Sequence, residues 1–180
     1  MADSLTPTLI TVSATALGWY VTYAYTKQKE DRTRRLEIQL KYRAQQIEEL
    51  YGPLSSLIQQ IFNVWHVREN VLGQGGYSGE VEQRIRQFFW QRYFSPLHQE
   101  IGELLRTRLY LLEGNRLPDS FSKYLEHSTQ EASKHLLWDE LKIDTSRVGG
   151  KHWPDQFYID VKGTLGRLMD EHKSGMAKLS

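Results

Sequence analysis

Apolar side chains recur every three or four residues along most of this chain, and nowhere do they alternate cleanly over strand length. Leu36, Leu40, Ile47, Leu50, Tyr51, Leu54, Leu57, Ile58, Ile61, Val64 and Trp65 set the pattern. Val81, Ile85, Phe88, Phe89 and Tyr93 resume it, and Leu97, Ile101, Leu104, Leu105, Leu109 and Leu112 carry it on. "LPDSF" (117–121) starts another helix that reaches about Leu141, and Pro154 opens a last one through Val161, Leu165 and Leu168 to about Lys173. A period near 3.6 gives a helix one buried face, whereas a strand needs a period of 2. The expectation is an all-α fold: a bundle of five or so helices over about residues 36–173, long enough to bury one core.

Charge is distributed more tellingly than its sum of +1 suggests. From Ser4 to Thr26 no side chain ionises apart from tyrosine. As a helix those residues span roughly 35 Å, enough for a bilayer core of about 30 Å. Trp19, Tyr20, Tyr23 and Tyr25 crowd the end of the stretch, where an aromatic belt would lie, and Lys27, Lys29, Arg32, Arg34 and Arg35 follow at once. A signal peptide would need basic residues ahead of the apolar run, and only Asp3 precedes it. The sequence therefore predicts a single N-terminal transmembrane helix, N-terminus out, with a cytoplasmic helical bundle behind it. The expected divisions are 1–26 (short exported N-terminus and transmembrane helix), 27–51 (basic juxtamembrane stalk), 52–175 (bundle) and 176–180 (tail). The absence of cysteine excludes disulfides, a thiolate zinc site and a cysteine nucleophile.

Helix breakers punctuate this plan. Gly52-Pro53 interrupts an otherwise good helix and predicts a joint between stalk and bundle. Ser95-Pro96 predicts a helix end followed by a capped restart. "GQGGYSG" (73–79) and "DTSRVGGKHWP" (144–154) read as loops, and Gly114-Asn115 as the stop of the helix before it.

Four stretches, "IEELYGPLSSLI" (47–58), "FSPLHQEI" (94–101), "LEGNRLPDSFSKYLEH" (112–127) and "WPDQFYIDV" (153–161), resemble a pattern in bacterial membrane-anchored helical proteins of uncharacterised function. In that pattern an ELYGPL element follows an N-terminal membrane helix. The resemblance covers most of residues 47–161 and implies the same architecture and a bacterial origin. It implies no catalytic residue.

Three constellations could carry chemistry. Thr8, Thr11, Thr15, Gly18 and Thr22 share one face of the expected membrane helix, with Ala14 alongside. Small and hydroxylated residues there suit close helix packing, so Thr11, Ala14, Thr15, Gly18 and Thr22 are expected to mediate self-association, or to line a pore. Threonines can equally bond back to their own helix. His127, Glu131 and His135 rise along one helix face. The two histidines lie roughly 12 Å apart along the axis, too far to share one ion, so only an adjacent pair could hold zinc or iron with help from His98, Glu100 or Glu103. "RIRQFFWQRYF" (84–94) mixes arginines with aromatics, which can read a nucleotide or simply mark a packing face with a solvated side.

No P-loop, nucleophile elbow or zinc-ribbon spacing occurs. No catalytic residue and no cofactor is expected. The functional expectation is a non-enzymatic interaction or assembly module at the inner membrane, partnered by membrane lipids, by itself as a homo-oligomer or by another protein. Nucleic acid is not expected, since charge is balanced, while a nucleotide ligand stays open. The alternatives are a membrane effector, pore-forming or permeabilising, of a bacterial antiviral or toxin-like defence system, triggered through the helical domain, and a helical metalloenzyme.

Overall fold

The computed structural model describes residues 5–143, 145 and 152–179, with residues 5–17 and 115 in backbone alone. Most of the expected 144–154 loop thus lies outside the described residues. Among those described, the chain is helical and contains no strand. In order it forms α1 (Leu5–Gln46), a π-turn (Ile47–Tyr51), α2 (Gly52–Gly75), α3 (Gly79–Phe89), a second π-turn (Trp90–Phe94), α4 (Ser95–Thr107), 3-10 turns at Leu109–Leu111 and Glu113–Asn115, α5 (Asp119–Leu141) and α6 (Asp155–Met176). Residues separate into two compact units, one of Met1–Tyr42 with His172–Ser180, the other Arg43–Glu171.

Within the larger unit the core is built as the spacing dictates. Leu50, Leu54, Ile58 and Ile61 meet Ile101 and Leu105 of α4, Phe121 and Tyr124 of α5, and Phe157, Val161 and Leu168 of α6. Tyr124 stacks on Phe157 at 4.3 Å, and Phe121 meets the same ring edge-on at 4.9 Å. Each large side chain so buried contributes about 1.5–3 kcal/mol. Two buried polar groups are satisfied. Gln46 donates from Nε2 to the carbonyl of Leu111 at 2.8 Å, and Ser120 donates from Oγ to Asp160 at 2.5 Å.

Within the smaller unit Gly175 packs on Leu40, where a Cβ would come within 2.5 Å of Cδ2. The expected membrane span falls on α1, which is helical there. Among the described residues, however, no helix is long and apolar enough to cross a membrane. The reason is composition: six threonines between Ser4 and Thr26 dilute the aliphatic side chains that length alone suggested.

Gly52-Pro53 does not break the helix. Gly52 keeps right-handed helical angles (φ −63°, ψ −55°) and donates its N–H to the carbonyl of Ile47, five residues back. The wide turn takes up the proline, whose missing N–H and bulky ring a regular α-turn could not absorb. Ser95-Pro96 repeats the device. Ser95 is helical (φ −57°, ψ −48°), donates to the carbonyl of Trp90, and makes no side-chain cap. The expected helix end and restart there are replaced by a continuous path.

Two further boundaries differ. α2 extends through Gly75, into the expected glycine loop, and ends on left-handed Gly76 (φ 57°). The Tyr77 ring lies against Gly75, occupying the space a Cβ would need. α4 stops at Thr107 rather than near Gly114, as Arg108 leaves helical geometry (φ −115°, ψ 18°) and Thr107 bonds back to the carbonyl of Glu103 at 2.8 Å. That change buries Leu111 and Leu112 and leaves Leu109 exposed.

An aromatic cleft as candidate functional site

The larger unit holds a cleft of about 720 Å³, within the range of ligand pockets. α2 supplies Ile61, Phe62, Trp65, His66 and Arg68 along successive turns. Arg86 on α3 and Trp90 and Phe94 on the second π-turn form another side. His127, Glu131 and His135 come from α5, and His152, Trp153 and Asp155 from the approach to α6 and its first residue. Among the described residues the lining contains no Ser, Thr, Cys or Lys side chain.

The aromatic rings are fixed against one another. Trp90 lies flat on His135, centroids 4.4 Å apart and planes within 6°. Trp153 meets Phe62 at 5.3 Å, His127 at 5.6 Å and Tyr124 at 5.6 Å. Its indole Nε1 is buried without a hydrogen-bond partner among the described residues. Such a donor costs about 1–3 kcal/mol, which an acceptor reaching it would relieve. Trp65, by contrast, is nearly half exposed at the rim.

Arg68, Arg86 and Glu131 of the lining are paired, while Asp155 at the start of α6 is exposed. Arg68 reaches Glu69 at 2.8 Å and lies over the Phe94 ring at 5.1 Å. Arg86 pairs with Glu82 at 2.7 Å and approaches Glu69 at 3.8 Å. Glu131 pairs with Lys134 at 3.1 Å. Burial lowers the pKa of His135 despite Glu131 and Asp139 nearby, so this stacked ring favours its neutral form.

Behind the cleft sits a half-buried polar pair. Nδ1 of His98 lies 2.8 Å from the Tyr124 hydroxyl, one donating to the other according to tautomer. Desolvation, then the His127 ring 5.9 Å away, push the His98 pKa down from 6.5 to about 4. Desolvation pushes the Tyr124 phenol upward. Both groups are neutral at physiological pH.

His127, Glu131 and His135, the metal candidates, thus all line the cleft, and Arg86 and Trp90 of the arginine–aromatic stretch join them. Among the described residues no three His, Cys, Asp or Glu side chains are arranged to hold a metal. The other aromatics of that stretch divide: Phe89 and Phe94 are buried, Phe88 and Tyr93 exposed. Sequence spacing missed Phe62, Trp65, Arg68, His152 and Trp153 as cleft residues. The only available signal was the placing of tryptophans beside helix ends.

Of the threonine face, Thr11, Ala14 and Thr15 have side chains outside the described residues. Thr22 donates from Oγ1 to the carbonyl of Gly18 at 2.8 Å, and among the described residues nothing lies within 4 Å of where a Cβ on Gly18 would sit. Gly52 and Pro53 lie away from the cleft lining. The sequence matches no family model, and comparison with curated proteins and with solved structures finds no similar one.

Proposed function

We propose that this chain is a non-enzymatic recognition module held at a membrane, in which the helical unit binds a small ligand in the aromatic cleft and the start of α1 provides the attachment. One observation carries the recognition reading. Phe62, Trp65, Trp90 and Trp153 wall the cleft, and its arginines and Glu131 are already paired within the protein. A fixed, aromatic-walled cavity of this size suits binding. Fragment screening by NMR on the full chain in micelles tests it. Fragments should shift the indole resonances of Trp65, Trp90 and Trp153; if fragments of no charge type do so, the recognition reading falls.

The attachment reading rests on the uncharged stretch from Ser4 to Thr26, the exposed Trp19, Tyr20, Tyr23 and Tyr25, and the basic residues that follow. In this reading the threonine face of α1 is covered by another copy, which withdraws its hydroxyls from lipid. The open surface at Gly18 suits such contact. Membranes from expressing cells should retain the protein in high salt and alkaline carbonate and release it in detergent. Release by carbonate would reduce the attachment to surface adsorption.

A further inference from the structure

We propose that the cleft takes an uncharged planar nitrogen heteroaromatic, a ring system of purine-nucleoside or isoalloxazine type, and discriminates against its phosphorylated forms. The inference rests on the reading of the cleft as a recognition site. Shape comes from the walls. Phe62, Trp65, Trp90 and Trp153 converge on one opening from α2, the second π-turn and the approach to α6. Flat π-faces hold flat ligands by stacking, in the parallel geometry that Trp90 and His135 already adopt.

Charge decides the rest. A phosphate would have to take Arg68 from Glu69 at 2.8 Å or Arg86 from Glu82 at 2.7 Å, leaving a carboxylate exposed to it. An organic cation would meet the same arginines, while Glu131 is held by Lys134 and Asp155 lies exposed in the first turn of α6. The half-buried ring of His135, stacked on Trp90, adds a polar edge to the lining, and burial favours its neutral form. A neutral imidazole offers one N–H and one bare nitrogen, the complement of the mixed donor and acceptor edge of a nitrogen heterocycle. About 720 Å³ accommodates a bicyclic or tricyclic ring with an attached sugar or polyol.

Full-length protein in non-ionic detergent is titrated with adenosine, guanosine and riboflavin, and in parallel with AMP, GMP and FMN, by equilibrium dialysis and tryptophan emission. At least one uncharged compound should bind saturably, with a Kd that changes less than about twofold between about 50 and about 500 mM salt. Its phosphorylated counterpart should bind about tenfold more weakly or worse, and Trp65→Ala, at the exposed rim, should weaken binding about tenfold with the circular dichroism unchanged. Tighter, salt-sensitive binding of the phosphorylated compounds would overturn the proposed class while leaving the cleft a recognition site. Binding indifferent to Trp65→Ala would place the ligand elsewhere and overturn the proposal. So would failure of all six compounds to bind, and the fragment screen, which uses none of them, then decides whether the recognition reading falls as well.

Discussion

Acidification should destabilise this protein through His98, and a substitution can isolate the effect. The ring is kept neutral in the folded chain, its pKa pushed from 6.5 to about 4 by desolvation and by His127. In the unfolded chain it protonates near 6.5. Protons therefore bind the unfolded state preferentially between those values. Stability is complete above about pH 6.5 and falls as the pH is lowered through 4. At about 1.4 kcal/mol per pH unit the full loss is about 3 kcal/mol, a large share of a stability of 5–15 kcal/mol. Most of it is reached by about pH 4.5. His98→Gln cannot protonate but keeps a polar atom for the Tyr124 hydroxyl, which lies 2.8 Å from Nδ1. Urea unfolding of the full chain in non-ionic detergent, followed by circular dichroism at several pH values, measures the comparison. Other groups also titrate in this window, including His135, whose lowered pKa acts in the same direction. The informative quantity is thus the difference between proteins: the variant should lose about 3 kcal/mol less than the parent between about pH 7 and about pH 4. Parallel curves for the two would refute the assignment of the acid sensitivity to His98.

Gly52→Ala should cost about 1–3 kcal/mol in urea unfolding, because its Cβ would sit 2.6 Å from the carbonyl oxygen of Ile47; an unchanged midpoint would mean the wide turn relaxes freely. Gln46→Leu should cost about 1–3 kcal/mol by leaving the Leu111 carbonyl buried without its donor, and a neutral result would show that water replaces it. Ser120→Ala removes a 2.5 Å hydrogen bond to Asp160 and should lower stability by about 1.5 kcal/mol in the same assay. Gly18→Leu should reduce the oligomer mass measured in detergent if copies of α1 pack through that face, and an unchanged mass would remove the contact.

The helical class was legible because local periodicity reports it directly: Leu50, Leu54, Ile58 and Ile61 fall on one stripe and are all buried. Spacing on α5 also placed His127, Glu131 and His135 on the face that the cleft uses. What spacing could not show is pairing between distant segments. His98 meets Tyr124, Gln46 meets Leu111, and Trp153 reaches Phe62, each across dozens of residues that periodicity says nothing about. Arg68 likewise lies over Phe94 in the cleft, a meeting across 26 residues that no local spacing reports. The uncharged length of the Ser4–Thr26 stretch is legible in the sequence, and so are the six threonines that keep its apolarity low.

The two prolines show most clearly how a local rule can be correct and its consequence different. Tyr51-Gly52-Pro53-Leu54 and Phe94-Ser95-Pro96-Leu97 share one pattern: an aromatic, a small residue, proline, leucine. Proline removes a donor and crowds the carbonyl four residues back, and it disfavours helical angles in the residue before it. A small residue at 52 and at 95 reduces the second conflict, and both positions do adopt helical angles. The first conflict is met by one extra residue in the preceding turn, so that the N–H before each proline bonds five residues back. Because an extra residue moves the following side chains by about 100° around the axis, it also resets which face is buried. Leu50 and Tyr51, neighbours in sequence, both enter the core, as do Phe89 and Trp90. At the second site the reset has a consequence for the cleft: the π-turn carries both Trp90 and Phe94 into its lining. Proline at these positions therefore helps to hold a wide turn that aims side chains, and at Trp90–Phe94 the side chains it aims form a wall of the candidate site.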